Sequence, residues 1–250
     1  MSELVSVIVT AHNSIDTLDK TLASIENQTY EYIEVIIIDD FSIDGTRQLL
    51  FDFKQRSKYD VKLIFNSENY GVAKSRNIAI AKAKGSYLAF LDSDDIWMPR
   101  KVEDQLSEMR RRNIKFSFTN YYTIDIDGNT LAKRVMTPGE YALKDFLKGN
   151  PAGLLTVMIQ NSDDFIDLFP IIEHEDYAAW IKVVKKFKSA TLLEQSNAKY
   201  RIHNSLSSNK LKSFFWTAKI LKIYGRLNIF QLSVAMTNYV SRVFKRKRRI

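Results

Sequence analysis

The sequence predicts an α/β protein: a mostly parallel sheet with flanking helices, followed by a helical, basic C-terminal tail. Three observations carry this. Apolar β-branched runs of strand length alternate with helically spaced apolar stripes through residue 112. The strand runs are continuously hydrophobic, the pattern of strands covered on both faces. From Asn209 to Ile250 there are 11 Lys/Arg and no Asp/Glu.

Residues 4–10 (LVSVIVT) and 33–38 (IEVIII) predict the first two strands. Between them Ile15, Leu18, Leu22 and Ile25 form one helical stripe, and Asn13 or Ser14 can cap its start. That order is a βαβ unit. A second helix is expected from about Thr46 to Arg56, with Leu49, Leu50 and Phe53 on one side. VKLIF (61–65) predicts a third strand, residues 72–83 a third helix, SYLAFL (86–91) a fourth strand and Pro99 to Arg112 a fourth helix. Beyond that, KFSFTNYYTI (115–124) predicts a strand, DIDGN (125–129) a turn, 150–160 another strand and Asp176 to Phe187 a helix. ATLLEQ and AKYRIH predict short edge strands, and 213–244 a helical segment. The expected organisation is one domain over 1–208, in halves 1–112 and 113–208, with 209–250 as an extension.

A chain of 250 residues can bury a full core as one domain. Its 45% hydrophobic and 26% charged content is that of a globular protein. With no cysteine, disulfides and thiolate metal sites are excluded, which fits a reducing compartment. MSELVSVIVT has no basic region ahead of its apolar residues and is expected to be a first strand, not a signal peptide. No run approaches the roughly 18 apolar residues of a membrane span. The net charge of +8 belongs to the tail: residues 1–208 hold 26 basic and 29 acidic residues, a net of −3. A nucleic-acid reading based on overall charge is therefore not supported.

In open α/β sheets ligands bind beyond the carboxyl ends of the strands. Four polar clusters fall there: Thr10-Ala11-His12-Asn13, Asp39-Asp40, Asn66 to Gly71, and Asp92-Ser93-Asp94-Asp95. Converging on one sheet edge, they describe a pocket. The last cluster contains a DxD, Asp92 and Asp94, whose oxygens suit Mn2+ or Mg2+. A solvated acidic loop is the competing reading of that triplet alone. Dinucleotide binding needs a glycine-rich turn after the first strand, and TAHNS has none. GxxxxGK[ST] is absent too. Phosphates must then be held by a metal and basic side chains. Arg76, on the helix that follows Gly71, can make a bidentate phosphate contact; otherwise it is a surface arginine.

SVIVTAHN, VIIIDDFSIDGT, NYGVAKSRNIAI, GSYLAFLDSDDIWMPRKVEDQL, HEDYAAW and YRIH, in this order, resemble a family-2 glycosyltransferase of GT-A (Rossmann-like) fold. The resemblance is close over about 4–112 and resumes over about 150–208. It implies that Thr10, Ala11, Asn13 and Asp40 line the nucleobase and ribose of a nucleotide-sugar donor, with Asp40 contacting uracil. His12 stands where the family usually has an aromatic residue. Asp39 is expected to cap its loop. Asn69, Gly71 and Arg76 would lie on the donor, Arg76 near its phosphates or sugar. Asp92 and Ser93 would lie near the ribose, Asp94 would bind the metal bridging the diphosphate, and Asp95 would support the loop.

Glu175 and Asp176 start a helix in HEDYAAW. The family uses the Asp of this pair as general base, which assigns catalysis to Asp176 and places Glu175 beside the acceptor. A sugar hydroxyl is a poor nucleophile, so a carboxylate must take its proton as it attacks. A metal would neutralise the leaving diphosphate. One base opposite the leaving group gives inversion. The alternative is an ordinary acid favoured by the helix dipole. In Tyr200-Arg201-Ile202-His203 the resemblance implies phosphate binding by Arg201 and metal or diphosphate contact by His203. Trp97 is a candidate acceptor floor, or core.

The tail combines Phe214, Phe215, Trp216, Ile220, Leu221, Ile223 and Tyr224 with Lys219, Lys222 and Arg226, and ends KRKRRI. This is expected of an interfacial segment with a polybasic patch on an anionic membrane. The alternative is a helix packed on the body with a solvated basic end. No aromatic platform or groove for RNA is evident. The expectation is thus an inverting, metal-dependent enzyme moving a sugar from a nucleotide-sugar, a UDP-sugar, to a saccharide or lipid-linked saccharide acceptor in surface polysaccharide synthesis. It would be cytoplasmic, peripheral on the inner face of the cell membrane, with no nucleic-acid partner. A nucleotidyltransferase would need a glycine-rich, basic signature that residues 8–20 lack. A non-catalytic basic membrane- or nucleic-acid-binding protein would show no nucleotide affinity.

Overall fold

Strands β1 (Val5–Ala11) and β2 (Ile33–Asp39) are buried along their whole length. They pair in parallel from Val5↔Ile33 to Ala11↔Asp39. β3 (Asp60–Phe65) joins outside β2, and β4 (Tyr87–Asp92) joins the other side of β1, both parallel. Ala11, Asp39, Phe65 and Asp92 therefore end on one rim. The computed structural model describes residues 3–202 and 210–247.

Side chains alternate across a strand, so each face has its own core. Val5, Val7 and Val9 pack with Leu18, Leu22 and Ile25 of helix α1 (Ile15–Glu26), Leu50 and Phe53 of α2 (Thr46–Arg56), and Val102, Leu106 and Met109 of α4 (Lys101–Arg111). Ile8, Ile36 and Ile38 face the other way, onto Ala73, Ala79 and Ile80 of α3 (Val72–Ile80) and onto Ala178, Ala179 and Trp180 of α6 (Glu175–Phe187). The short helix α5 (Leu143–Phe146) buries Phe146 in that same cluster.

The run 115–124 does not form one strand. It divides at Asn120 into β6 (Phe116–Thr119) in the main sheet and β7 (Tyr121–Ile124) in a second one. The short β5 (Ile96–Trp97) belongs to the second sheet. Asp125 accepts from the N–H groups of Gly128 and Asn129, closing the turn into β8 (Thr130–Arg134). Later strands are β9 (Gly139–Ala142), β10 (Met158–Gln160), β11 (Ser189–Leu193) and β12 (Ala198–Arg201). The main sheet runs β3-β2-β1-β4-β10-β6-β11-β9 and the second β5-β12-β7-β8. ATLLEQ and AKYRIH are consequently not edges: β11 lies between β6 and β9, and β12 between β5 and β7. The edges β8 and β9 are short, β8 mostly exposed and β9 mostly half-buried, so their residues carry no buried-strand pattern.

The tail forms α7 (Lys210–Ile223) and α8 (Ile229–Lys247). Ile220, Leu221, Ala235 and Met236 are buried in the same cluster as α3 and α6. One face of the tail is thus part of the protein's core. Among the described residues no helix is long and apolar enough to cross a membrane.

Candidate active site

A cavity of about 730 Å³ opens on the carboxyl rim of the parallel strands. Its lining includes Thr10, Ala11, His12 and Asn13 after β1, Asp40 after β2, Asn69 and Gly71 before α3, Asp92, Ser93 and Asp94 after β4, and Glu175 of α6. The four clusters predicted from sequence do converge. Asn13, in its lining, has a positive φ (45°), as do Phe41 (65°) and His174 (56°), the chain neighbours of the lining residues Asp40 and Glu175. Each such residue costs on the order of 1 kcal/mol, offset by the surrounding hydrogen bonds. Asn13, for example, receives Ile43 N–H on Oδ1 and donates its own N–H to Ser42 Oγ.

Asp40 is buried and accepts from the N–H groups of Tyr70 and Gly71 and from Asn66 Nδ2, each at 2.8 Å. A carboxylate has about four lone-pair sites, so one remains for a ligand. Asp39 accepts Ser42 N–H and pairs with Arg47 at 2.7 Å, pinning its own loop. His12 Nδ1 lies 2.6 Å from Asp40 O, and its Nε2 lies 3.2 and 3.3 Å from the amides of Asn13 and Asn69. These partners place the ring proton on Nδ1.

The acidic loop is held from both sides. Ser14 and Thr17 of the α1 entry bond Ser93 Oγ and Ser93 O, and Thr21 bonds Asp95 O. Asp95 is buried and accepts Arg201 N–H; burial and the charges of Asp94 and Asp92 push its carboxyl well up. Arg201 differs from expectation. It is buried, and its guanidinium donates to the carbonyls of Asp94, Asp125 and Ile126. Those bonds make it a clamp between the acidic loop and the β7–β8 turn, and its Nη2 is buried without a partner. His203 lies outside the described residues.

Arg76 also differs. It is only 4% exposed, with Nη2 2.6 Å from Asp92 Oδ1 and Nη1 paired with Glu175 Oε1. The fork that would grip a phosphate is spent on two carboxylates 83 positions apart, 92 and 175. Arg76, Asp92 and Glu175 form the wall between the first cavity and a second chamber of about 330 Å³.

Asp176 lines that second chamber, as do Tyr121, Arg134, Asn150, Leu155 and Tyr200. Asp176 Oδ2 accepts from Asn150 Nδ2 at 2.9 Å and Oδ1 from Tyr177 N–H at 2.7 Å. Burial, then the neighbouring Glu175 charge, push its carboxyl up to about 6, with Arg76 opposing. Sequence reasoning missed Asn150; it sits in a segment without periodicity. Trp97 is not an acceptor floor. It is 2% exposed, packed in the α1/α4 core, with Nε1 donating to Leu155 O at 2.8 Å. It props the chamber floor from behind, and Tyr121 and Tyr200 supply the aromatic wall.

The sequence matches the model of glycosyl transferase family 2 over residues 6–166. It is 36% identical over 248 residues to the putative teichuronic acid biosynthesis glycosyltransferase TuaG of Bacillus subtilis, covering 98% of this chain and 97% of that one. It is 36% identical over 227 residues to the UDP-Glc:alpha-D-GlcNAc-diphosphoundecaprenol beta-1,3-glucosyltransferase WfaP of Escherichia coli, covering 89% and 87%. The S. aureus TarS 1-349 structure in complex with UDP superposes with a TM-score of 0.70 at 20% identity, covering 97% of this chain and 72% of that one. Mannosyltransferase PcManGT from Pyrobaculum calidifontis, in complex with GDP-Man and Mn2+, gives 0.71 at 13% identity, covering 95% and 69%. The chain belongs to glycosyl transferase family 2.

Proposed function

We propose that the protein is an inverting, divalent-metal-dependent glycosyltransferase that moves a sugar from a UDP-sugar to a lipid-linked saccharide in surface polysaccharide synthesis. One observation carries this: the rim cavity bearing Asp94 and the chamber bearing Asp176 share Arg76, Asp92 and Glu175 as a common wall. A donor in the first and an acceptor in the second would meet at that wall. The names of WfaP and TuaG support a UDP-linked donor and an acceptor bound for a surface polymer.

The acidic loop offers only oxygen donors, the chemistry that Mn2+ and Mg2+ take. Among the described residues no three Asp, Glu or His side chains gather to hold an ion alone. Asp94 would therefore hold it together with phosphate oxygens of the donor. Bound there, the ion would neutralise charge developing on the leaving diphosphate. Thr10, Asn13, Asp40 and Asn69 would orient the nucleoside. Asp176 takes the proton of the attacking hydroxyl: a carboxyl near 6 is ionised at neutral pH and still basic enough to accept it. Asn150 fixes the plane of that carboxylate. One base on the face opposite the leaving group would make the displacement direct and invert the anomeric centre.

The test is a nucleotide-sugar panel with Mn2+, scored for nucleoside diphosphate release. Asp176→Asn should keep donor affinity and lose roughly 10²–10⁴-fold in transfer. An unchanged rate removes Asp176 as base.

The tail supports a second element of the reading, a peripheral position on the cytoplasmic face of the membrane. Its outer face leaves Phe215, Ile223, Ile229, Phe230 and Val234 exposed among the exposed Lys212, Lys219, Lys222 and Arg226. Apolar side chains within a basic field favour anionic lipid. Removing the tail would open the core, so the discriminating variant is Ile229→Ser with Phe230→Ser. It should sediment less with anionic vesicles; equal sedimentation discards the idea.

A further inference from the structure

Four carboxyl groups line the Asp176 chamber: Asp92, Asp95, Glu175 and Asp176 itself. Arg76 is committed to two of them. The other cation in the lining is Arg134, at the inner end of the otherwise exposed β8. Its contacts are weak. Nη1 lies 3.2 Å from Tyr121 Oη, and Nη2 lies 3.4 Å from Asn150 O and 3.5 Å from Met136 Sδ. Nε is buried with no partner, and among the described residues no carboxylate pairs with this guanidinium. A buried donor left unpaired is unfavourable, and this one lies in a chamber that a ligand can enter.

Beside it stand the rings of Tyr121, 5.3 Å from the guanidinium carbon, and Tyr200, edge-on to Tyr121 at 6.0 Å. Gly153 leaves the space for Tyr121: a Cβ there would come within 3.2 Å of its ring. The chamber thus combines an arginine, an aromatic wall and Asp176, with Asn150 in contact with both Arg134 and Asp176.

We propose that this chamber is an acceptor subsite for a sugar carrying a phosphate or diphosphate, and that Arg134 is the residue that reads the charge. This deepens the acceptor reading given above and rests on it. The sugar ring lies against Tyr121 and Tyr200. Its anionic substituent is drawn to Arg134, whose fork matches phosphate oxygens and has no carboxylate of its own. Held there, the ring presents a hydroxyl to Asp176 in the same chamber. Arg134 is thus a specificity residue for charged over neutral acceptors.

The test compares two acceptors built on one N-acetylglucosamine: its alkyl diphosphate and its alkyl glycoside. Wild type should use the diphosphate with the lower KM. Arg134→Gln should raise that KM about tenfold or more, the loss of one charged contact, while the KM for the neutral glycoside and the affinity for UDP stay unchanged. Arg134→Lys should recover part of the preference. Unchanged UDP affinity certifies that the variants are folded. Equal loss on both acceptors, or loss on neither, overturns the inference. Equal use of both acceptors by wild type also overturns it but leaves the glycosyltransferase assignment standing. UDP-sugar hydrolysis without transfer to either acceptor overturns the lipid-linked acceptor reading, and this inference with it.

Discussion

Nη2 of Arg76 lies 2.6 Å from Oδ1 of Asp92, while Nη1 of the same buried guanidinium pairs with Glu175. One side chain thus joins the acidic loop of the rim cavity to the first turn of α6, the helix that carries Asp176. Arg76→Ala would leave two carboxylates without their cation. Because Asp92 is partly exposed, the expected loss is about 3 kcal/mol, the low end for a broken buried pair. Arg76 also holds the Asp176 carboxyl down, so its removal should shift the acid limb of the rate profile to higher pH. Arg76→Lys should restore the limb better than the stability. Unfolding curves and pH profiles that match wild type would show the bridge to be idle.

The acid limb of kcat/KM should fall below about pH 6, the value to which burial raises Asp176. The same shift has a stability consequence. A raised carboxyl lets the folded state hold its proton more tightly than the unfolded state. That contribution is complete below the unfolded value near 3.8 and is lost as pH rises through about 6. Asp176→Asn should therefore be more stable than wild type at pH 7.5, by at most about 3 kcal/mol and less where water enters the chamber, and about equal to it at pH 4. Denaturant titrations at both pH values check this; a less stable variant at pH 7.5 contradicts it.

Lys101 is fully buried, its Nζ has no hydrogen-bond partner, and it sits 3.9 Å above the Trp97 ring. Burial pushes its ammonium well below the usual lysine value, and the ring offsets only part of this. The unfolded chain holds the proton that the folded chain resists, so stability rises with pH up to about 10.5. Lys101→Met should stabilise the protein by about 1–3 kcal/mol at neutral pH, with the gain shrinking as pH rises. A lower melting temperature for the variant would mean that the lysine makes a contact worth more than its desolvation.

Much of this was legible in the sequence where local pattern and function coincide. Val5, Val7 and Val9 against Leu18 and Leu22 announce a βαβ unit, and the polar residues that end those strands share one rim by topology. The chamber of Asp176 was not legible in this way. Arg134, Tyr121 and Asn150 come from a hairpin and a loop with no apolar period. They meet Asp176 only because β7 leaves the main sheet at Asn120. Trp97 and Arg201 misled for the opposite reason. Each adjoins a functional motif in the chain, yet Trp97 points into the α1/α4 core and Arg201 into backbone carbonyls. Chain neighbourhood gives no side-chain direction at the ends of short strands.

The central claim is that a nucleoside diphosphate and a divalent ion share the rim cavity through Asp94. Titration calorimetry of UDP with and without Mn2+ tests it most directly, because coupling between two ligands is reciprocal. Each should tighten the binding of the other by about tenfold or more, and Asp94→Asn should abolish the enhancement. UDP binding with one Kd, whether or not Mn2+ is present and whether or not Asp94 is replaced, would contradict the account.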